Sequence, residues 1–221
     1  MTGEIHQSGS SQKDKKSSET IKNSGYQNNI SAEEIQNYDL HWFKGRIVLV
    51  DNLAAFNSVI PALLKEKYLG FDTETKPSFR KGHKNKVSLI QFSTVDTAYL
   101  FRINKIGFPG DLSRILADAG ITKIGVAVRD DIRYLRTLKK FNPDGFVDLQ
   151  NYVKEFGIES SGLKKLTAII LGFRISKRQQ VTDWEAKELT EAQQIYAATD
   201  AWVCREIYMK LNNNDTVAGR K

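Results

Sequence analysis

Leu69-Gly70-Phe71-Asp72-Thr73-Glu74-Thr75 is the stretch on which the reading of this chain turns. A short apolar run, Tyr68 to Phe71, ends in two acids two residues apart. If the run is a strand, side chains alternate between its faces, so Asp72 and Glu74 point the same way. Two anionic groups that close repel, and one tends to take up a proton unless a cation lies between them. Hard divalent cations such as Mg²⁺ and Mn²⁺ prefer such carboxylate oxygens. An isolated Asp-Thr-Glu is more often a polar strand end facing water, so the rest of the chain has to decide.

Working outward, Arg46–Val50 is a β-rich run that reads as a first strand. Asn52 can cap a helix whose apolar residues, Leu53, Phe56, Val59, Ile60 and Leu63, recur at helical spacing. After the carboxylate strand, 87–93 and 97–102 read as two more strands. Three strands in succession with no helix between them predict an antiparallel meander. The link 76–86 carries Lys76, Arg80, Lys81, Lys84 and Lys86 and reads as a mobile basic loop beside the acids. Past Pro109-Gly110, Asp111 is expected to cap a helix to about Ala119. The run 121–128 is expected to be a fifth strand of the kind buried on both faces, followed by a helix over 130–140 and a brief strand at 146–149. Beyond that the chain reads as helical, over 149–156, 162–171 and about 190–211. Ser31 with Glu34, and Thr190 with Gln193, form capping boxes. The expectation is one α/β domain over 31–213, with strands early and helices late, between a disordered polar tail at 1–30 and a C-terminal tail at 214–221.

Composition narrows the class. The chain has 221 residues, 40% hydrophobic, enough for a real core, and a formal charge of +7 compatible with a polyanionic partner. A single cysteine, Cys204, excludes an intramolecular disulfide and fits a reducing compartment; the cytoplasm is the expected location. His6, His41 and His83 make no zinc spacing. No apolar run approaches membrane-spanning length, and no apolar leader is visible, so no membrane partner is expected.

The last helix holds Tyr196-Ala-Ala-Thr-Asp200, with Tyr196 and Asp200 one turn apart on one face. Ala197, Ala198 and Ala201 would let this helix approach a sheet closely. Asp130 and Asp131 open the helix after the buried strand, where an acid is often simply favoured by the helix dipole. Either residue, or all of these acids, can be structural. Their order along one chain says otherwise.

Together with Gly125-Val-Ala-Val-Arg-Asp-Asp131, Leu163-Lys-Lys-Leu166, Trp184 and Leu189-Thr-x-x-Gln193, the two motifs resemble the 3′–5′ exonuclease domain family of ribonuclease D and the Werner-syndrome helicase, in its tyrosine (DEDDy) form. The resemblance covers about Arg46 to Leu211. It implies a ribonuclease-H-like, proofreading-exonuclease fold, with a central mixed sheet of five to six strands flanked by helices. It implies two divalent metal ions, Mg²⁺ or Mn²⁺, held by Asp72, Glu74, Asp131 and Asp200. In this family pattern Asp72 bridges the ions, Glu74 and Asp200 complete the water-activating site, and Asp131 supports the second ion; Asp130 can take that place if the turn differs by one residue. Tyr196 is implied to orient the attacking water, since a phenol is a poor base at neutral pH. The implied reaction releases nucleoside 5′-monophosphates from the 3′ end of a single-stranded or recessed nucleic acid, most simply DNA, in a repair setting. The rival readings are a ribonuclease D-like RNA-trimming enzyme, disfavoured by the absence of an accessory helical domain after about 211, and a nucleic-acid-binding module without catalysis.

Substrate contacts are expected from Thr73 and Thr75 through the backbone, from Lys177 and Arg178 to phosphates, and from Phe79, Leu89 and Trp184 to bases. Cys204 reads as a packed small hydrophobe, and Asp183 has no assigned role. Protein partners are not readable.

Overall fold

The structure is a computed structural model and describes residues 25–77 and 85–218, with side chains described to residue 213. A six-stranded mixed sheet forms its centre, in the order β1-β4-β3-β2-β5-β6. The strands are β1 (Arg46–Val50), β2 (Tyr68–Thr75), β3 (Val87–Ser93), β4 (Thr97–Arg102), β5 (Thr122–Gly125) and β6 (Phe146–Asp148). The meander β2-β3-β4 is antiparallel, while β1 on β4 and β5 and β6 beside β2 are parallel. The helices are α1 (Ala32–Gln36), α2 (Leu53–Leu63), α3 (Ile103–Ile106), α4 (Gly110–Ala117), α5 (Val128–Leu138), α6 (Leu149–Tyr152), α7 (Leu163–Leu166) and α8 (Glu191–Ala218). Both capping boxes form: Ser31 and Glu34 bond each other's backbone N–H, as do Thr190 and Gln193.

The sheet sorts its residues by strand alternation. Leu69 and Phe71 of β2, Ile90 and Phe92 of β3 and Phe101 of β4 bury one face under α2, α4 and α5. The rings of Phe71, Phe92, Phe101 and Phe56 form a row with centroids 5.8–5.9 Å apart. The other face carries Gly70, Asp72 and Glu74 of β2, with Leu89 and Gln91 of β3, and lies under α8. Gly70 is required here. A Cβ at this position would lie 1.9 Å from the carbonyl oxygen of Ala201. Ala197, Ala198 and Ala201, all fully buried, complete this close seam.

Several elements depart from expectation. The expected strand 121–128 ends at Gly125, because Ala127 turns left-handed at φ 57° and α5 begins at Val128. The Ala127 N–H donates to Asp148 Oδ1 at 3.0 Å, which holds this turn against β6. β5 is not wholly apolar either: Lys123 is fully buried and its Nζ donates to the carbonyls of Asp118 and Ile121, each at 2.6 Å. Asp111 does not cap α4. Pro109 stands at the N-cap, and Asp111, inside the first turn, pairs with Arg114 at 2.8 Å. The helix expected over 149–156 is α6 followed by a 3₁₀ turn at Val153–Phe156, and that over 162–171 is α7 followed by a π turn at Thr167–Leu171. α3 was not anticipated.

Residues 1–24 of the expected leading tail, and 219–221 of the trailing one, lie outside the described residues. Within 25–30 the chain is packed: Ile30 is buried, and the Asn28 carbonyl accepts from the N–H of Glu159 and Ser160. Of the basic loop, 78–84, including Phe79, Arg80, Lys81 and Lys84, lie outside the described residues. Its stems are tied by Asn85 Nδ2, which donates to the carbonyls of Lys76 and Pro77. No helix among the described residues is long and apolar enough to cross a membrane.

Candidate active site

Strand alternation and one helical turn bring three acids together. Asp72 and Glu74 project from the α8 face of β2, and Asp200 faces them from α8. One carboxylate oxygen of each lies within 4.8 Å of the others. They line a cavity of about 710 Å³ with Tyr196, Lys177 and the segment 159–165. Glu74, Tyr196 and Asp200 are 9%, 6% and 2% exposed.

Burial drives the electrostatics. It lifts Asp72 well above the usual carboxylate range, and the charges of Asp131 and Asp200 add to the effect. Glu74 is pushed up to about 10 by burial and by Asp72 and Asp200. Burial also raises Asp200, against the opposing pull of Lys177 and Tyr196. Lys177 Nζ stands 3.3 Å from Asp200 Oδ2. Burial works against its ammonium, but Asp200, Asp72 and Glu74 outweigh that, so its pKa rises. The Tyr196 hydroxyl is driven far up by burial and by the Asp200 and Glu74 charges, so it keeps its proton.

These acids fit a hard divalent cation. The donor set is all carboxylate oxygen, and Asp200 Oδ1 is buried without a partner. Among the described residues Lys177 is the one cation paired with these like charges, and a bound divalent cation would relieve their repulsion. Asp72, Glu74 and Asp200 are the residues that would hold it.

Asp131 reaches the edge of this group from α5. Its Oδ1 accepts from Thr73 Oγ1 at 2.5 Å, and Thr73 is the residue between Asp72 and Glu74. Burial raises it to about 6, against that hydrogen bond. Asp130 turns outward and pairs with Arg133 at 2.9 Å, 60% exposed. The left-handed Ala127 sets this choice, since it fixes where α5 begins.

The expected substrate contacts fare unevenly. Thr73 lies in the cavity wall, while Thr75 follows a bulge after Glu74 at the end of β2. Lys177 is in the site but bonded to an acid. Arg178 lines a separate cavity of about 340 Å³ beyond Tyr196, beside Trp42. Leu89 and Trp184 do not face substrate; both are fully buried and pack with Tyr196, whose ring lies 6.0 Å from that of Trp184. Apolar type alone does not distinguish a base contact from core, and here core prevails. Cys204 is buried beside Asp200, as expected of a packed residue. Asp183 has a structural place: it caps Glu185 N–H and pairs with Lys76 at 3.6 Å. Gln91 and Lys123, both buried, carried no signal in the sequence beyond their residue type.

A family profile described as 3′–5′ exonuclease matches residues 47–214. The chain is 33% identical over 153 residues to the bifunctional 3′–5′ exonuclease/ATP-dependent helicase WRN of Mus musculus, covering 66% of this chain and 11% of that protein. It is 34% identical over 149 residues to the exonuclease 3′–5′ domain-containing protein 2 of Drosophila melanogaster, covering 66% and 25%. Among solved structures, the Aedes aegypti Nibbler EXO domain superposes with TM-score 0.71 at 25% identity, covering 80% of this chain and 94% of that one. Escherichia coli RNase D, described as an exoribonuclease involved in structured RNA processing, gives TM-score 0.68 at 27% identity, covering 77% and 45%. The chain spans 11–55% of the length of these and the other leading curated relatives.

Proposed function

The chain belongs to the 3′–5′ exonuclease family, and on that premise we propose that it hydrolyses phosphodiester bonds from the 3′ end of a nucleic acid strand, releasing nucleoside 5′-monophosphates. The observation that carries this reading is the convergence of Asp72, Glu74 and Asp200 within 4.8 Å in a cavity that Tyr196 also lines. Bound divalent ions, Mg²⁺ or Mn²⁺, supply Lewis acidity and neutralise charge on the reacting phosphate.

The chain's own residues do the remainder. Asp72 and Glu74 hold their carboxylates on one rigid strand, and Asp200 closes the group from α8. Asp131, fixed by Thr73, supplies further negative charge at the edge of the site. Tyr196 keeps its proton across the neutral range, so it orients a water and does not deprotonate it. Lys177 contributes positive charge at the cavity wall, where an incoming phosphate needs it.

DNA is the favoured substrate. The likeness to the mouse exonuclease/helicase and to DNA polymerase I of Aquifex aeolicus, 28% identical over 154 residues, supports it. The superposition on E. coli RNase D supports RNA as the second reading. Digestion of 5′-labelled single-stranded DNA, recessed duplex and RNA of one sequence, with Mg²⁺ and with Mn²⁺, decides. A 3′-shortened ladder lost in Asp200→Asn is expected. An Asp200→Asn chain as active as the parent would overturn the assignment, and faster loss of RNA would select the second reading.

A further inference from the structure

Gln91 is fully buried, and among the described residues neither its amide nitrogen nor its amide oxygen has a hydrogen-bond partner. An amide in that state carries its desolvation cost without return, and a folded chain rarely carries one without a use for it. Its position is informative. In the β2–β3 register Gln91 stands directly opposite Asp72. Directly opposed residues share a face, with Cβ atoms about 4.5–5.5 Å apart. That face is the α8 side, which carries the carboxylate cluster. On the same face stand Leu89 and Ser93 along β3, Leu100 as its partner on β4 and Arg102 diagonally across. The Ser93 hydroxyl donates to the Thr94 carbonyl, and the Arg102 guanidinium donates to the carbonyls of Ala186 and Lys187. Ala197 of α8, which packs in the cluster of Leu89 and Leu100, has no polar side-chain atom. The carboxylate that the register sets opposite the amide is that of Asp72.

We propose that Gln91 is a positioning residue for Asp72. Its amide N–H holds the Asp72 carboxylate in the orientation that takes a divalent cation. Asp72 Oδ1 accepts from the Thr73 N–H at 2.9 Å, and Lys177 pairs with Asp200. The argument rests on Asp72 being a cation ligand, and outer hydrogen bonds of this kind orient ligands throughout metal sites. A purely structural Gln91 would behave differently. Replacing an unpartnered buried amide by an alkyl group of similar shape removes a desolvation cost, and nothing else.

The two roles separate on stability and affinity. Gln91→Leu, with Gln91→Met as the unbranched alternative where Leu does not fold, is compared with the parent and with Asp72→Asn. Melting temperature is measured without metal, and Mn²⁺ binding by calorimetry. The expected result is a melting temperature equal to or above that of the parent, with Mn²⁺ affinity reduced by about ten- to a hundredfold. Affinity within twofold of the parent, in a background where Asp72→Asn weakens binding more than tenfold, would overturn the role of Gln91. So would a lowered melting temperature with unchanged affinity in the folded protein. Undiminished Mn²⁺ binding by Asp72→Asn would instead remove the reading of Asp72 on which the role depends.

Discussion

On one face of the sheet Phe71, Phe92 and Phe101 run side by side beneath Phe56 of α2. On the other, one residue along each strand, stand Asp72, Gln91 and Leu100. The same three strands thus bury an aromatic row on one side and a carboxylate, an unmet amide and a leucine on the other. Each buried Phe contributes about 1.5–3 kcal/mol, while each unmet buried polar group costs about 1–3 kcal/mol. The α8 face has its own apolar clusters, around Leu89, Leu100 and Trp184 and around Val203, Ile207 and Leu211, but among these three strands the unmet polar groups are on that side alone. The chemistry is confined to one side of a sheet that both sides stabilise.

The sharpest way to break that division is to mutate each side and read both properties. Phe92→Ala is expected to cost about 3–5 kcal/mol of stability, seen in denaturant midpoints, with the folded fraction keeping its Mn²⁺ affinity. Glu74→Gln replaces a residue whose pKa stands near 10, and so nearly copies its protonated form. It is expected to leave the metal-free melting temperature unchanged or raised, and to lower nucleotide release by about a thousandfold, or several kcal/mol at 1.36 per decade. A stable but inactive Phe92→Ala, or an unfolded Glu74→Gln, would dissolve the distinction.

Smaller effects refine it. Lys177→Met removes the one described cation paired with the cluster. The metal-free chain should lose about 1–2 kcal/mol, a few degrees of melting temperature. Added Mn²⁺ should restore more stability than it adds to the parent, because no ammonium competes with it. Lys123 acts away from the site, and only through pH. Its pKa falls to about 8, through burial that Asp118 and Asp144 only partly offset. Between that value and its ordinary 10.5 the unfolded chain binds more protons than the folded one. Stability therefore rises with pH across this window, by at most about 1.4 kcal/mol per unit. Lys123→Met should flatten that rise in melts taken at pH 7.5, 9 and 10.

The α2 face and the faces of Asp72, Glu74 and Asp200, which the structure brings together, were legible because alternation and helical spacing are local signals. Phe71, Asp72 and Glu74 announce their faces by parity alone. The sequence carried the turn into α5 badly. Val126, Ala127 and Val128 are as apolar as a strand, and nothing in an alanine marks a positive φ. The choice between Asp130 and Asp131 depended on that residue. Leu89 and Trp184 were misread for a related reason: an aromatic or aliphatic side chain has the same type whether it meets a base or a helix. Lys177 was placed near the chemistry, but its bond to Asp200 joins residues 23 apart and needed the folded chain to be seen. Gln91 left no trace, since an amide in a strand reads as surface until its neighbours are known.

The missing Cβ of Gly70 has one more consequence. With the Ala201 carbonyl seated against the strand at that point, α8 cannot slide along β2 or tilt towards it without a backbone collision. Tyr196 and Asp200 are thus fastened to Asp72 and Glu74 as parts of one plate. The distance across the cluster is set at folding, before any strand end arrives. The opposite wall, 159–165, meets the rest of the chain through such links as Ser160 to Asn29. Under the proposed function, sequence changes in that wall should alter which strand ends are accepted while leaving Asp72, Glu74 and Asp200 in place.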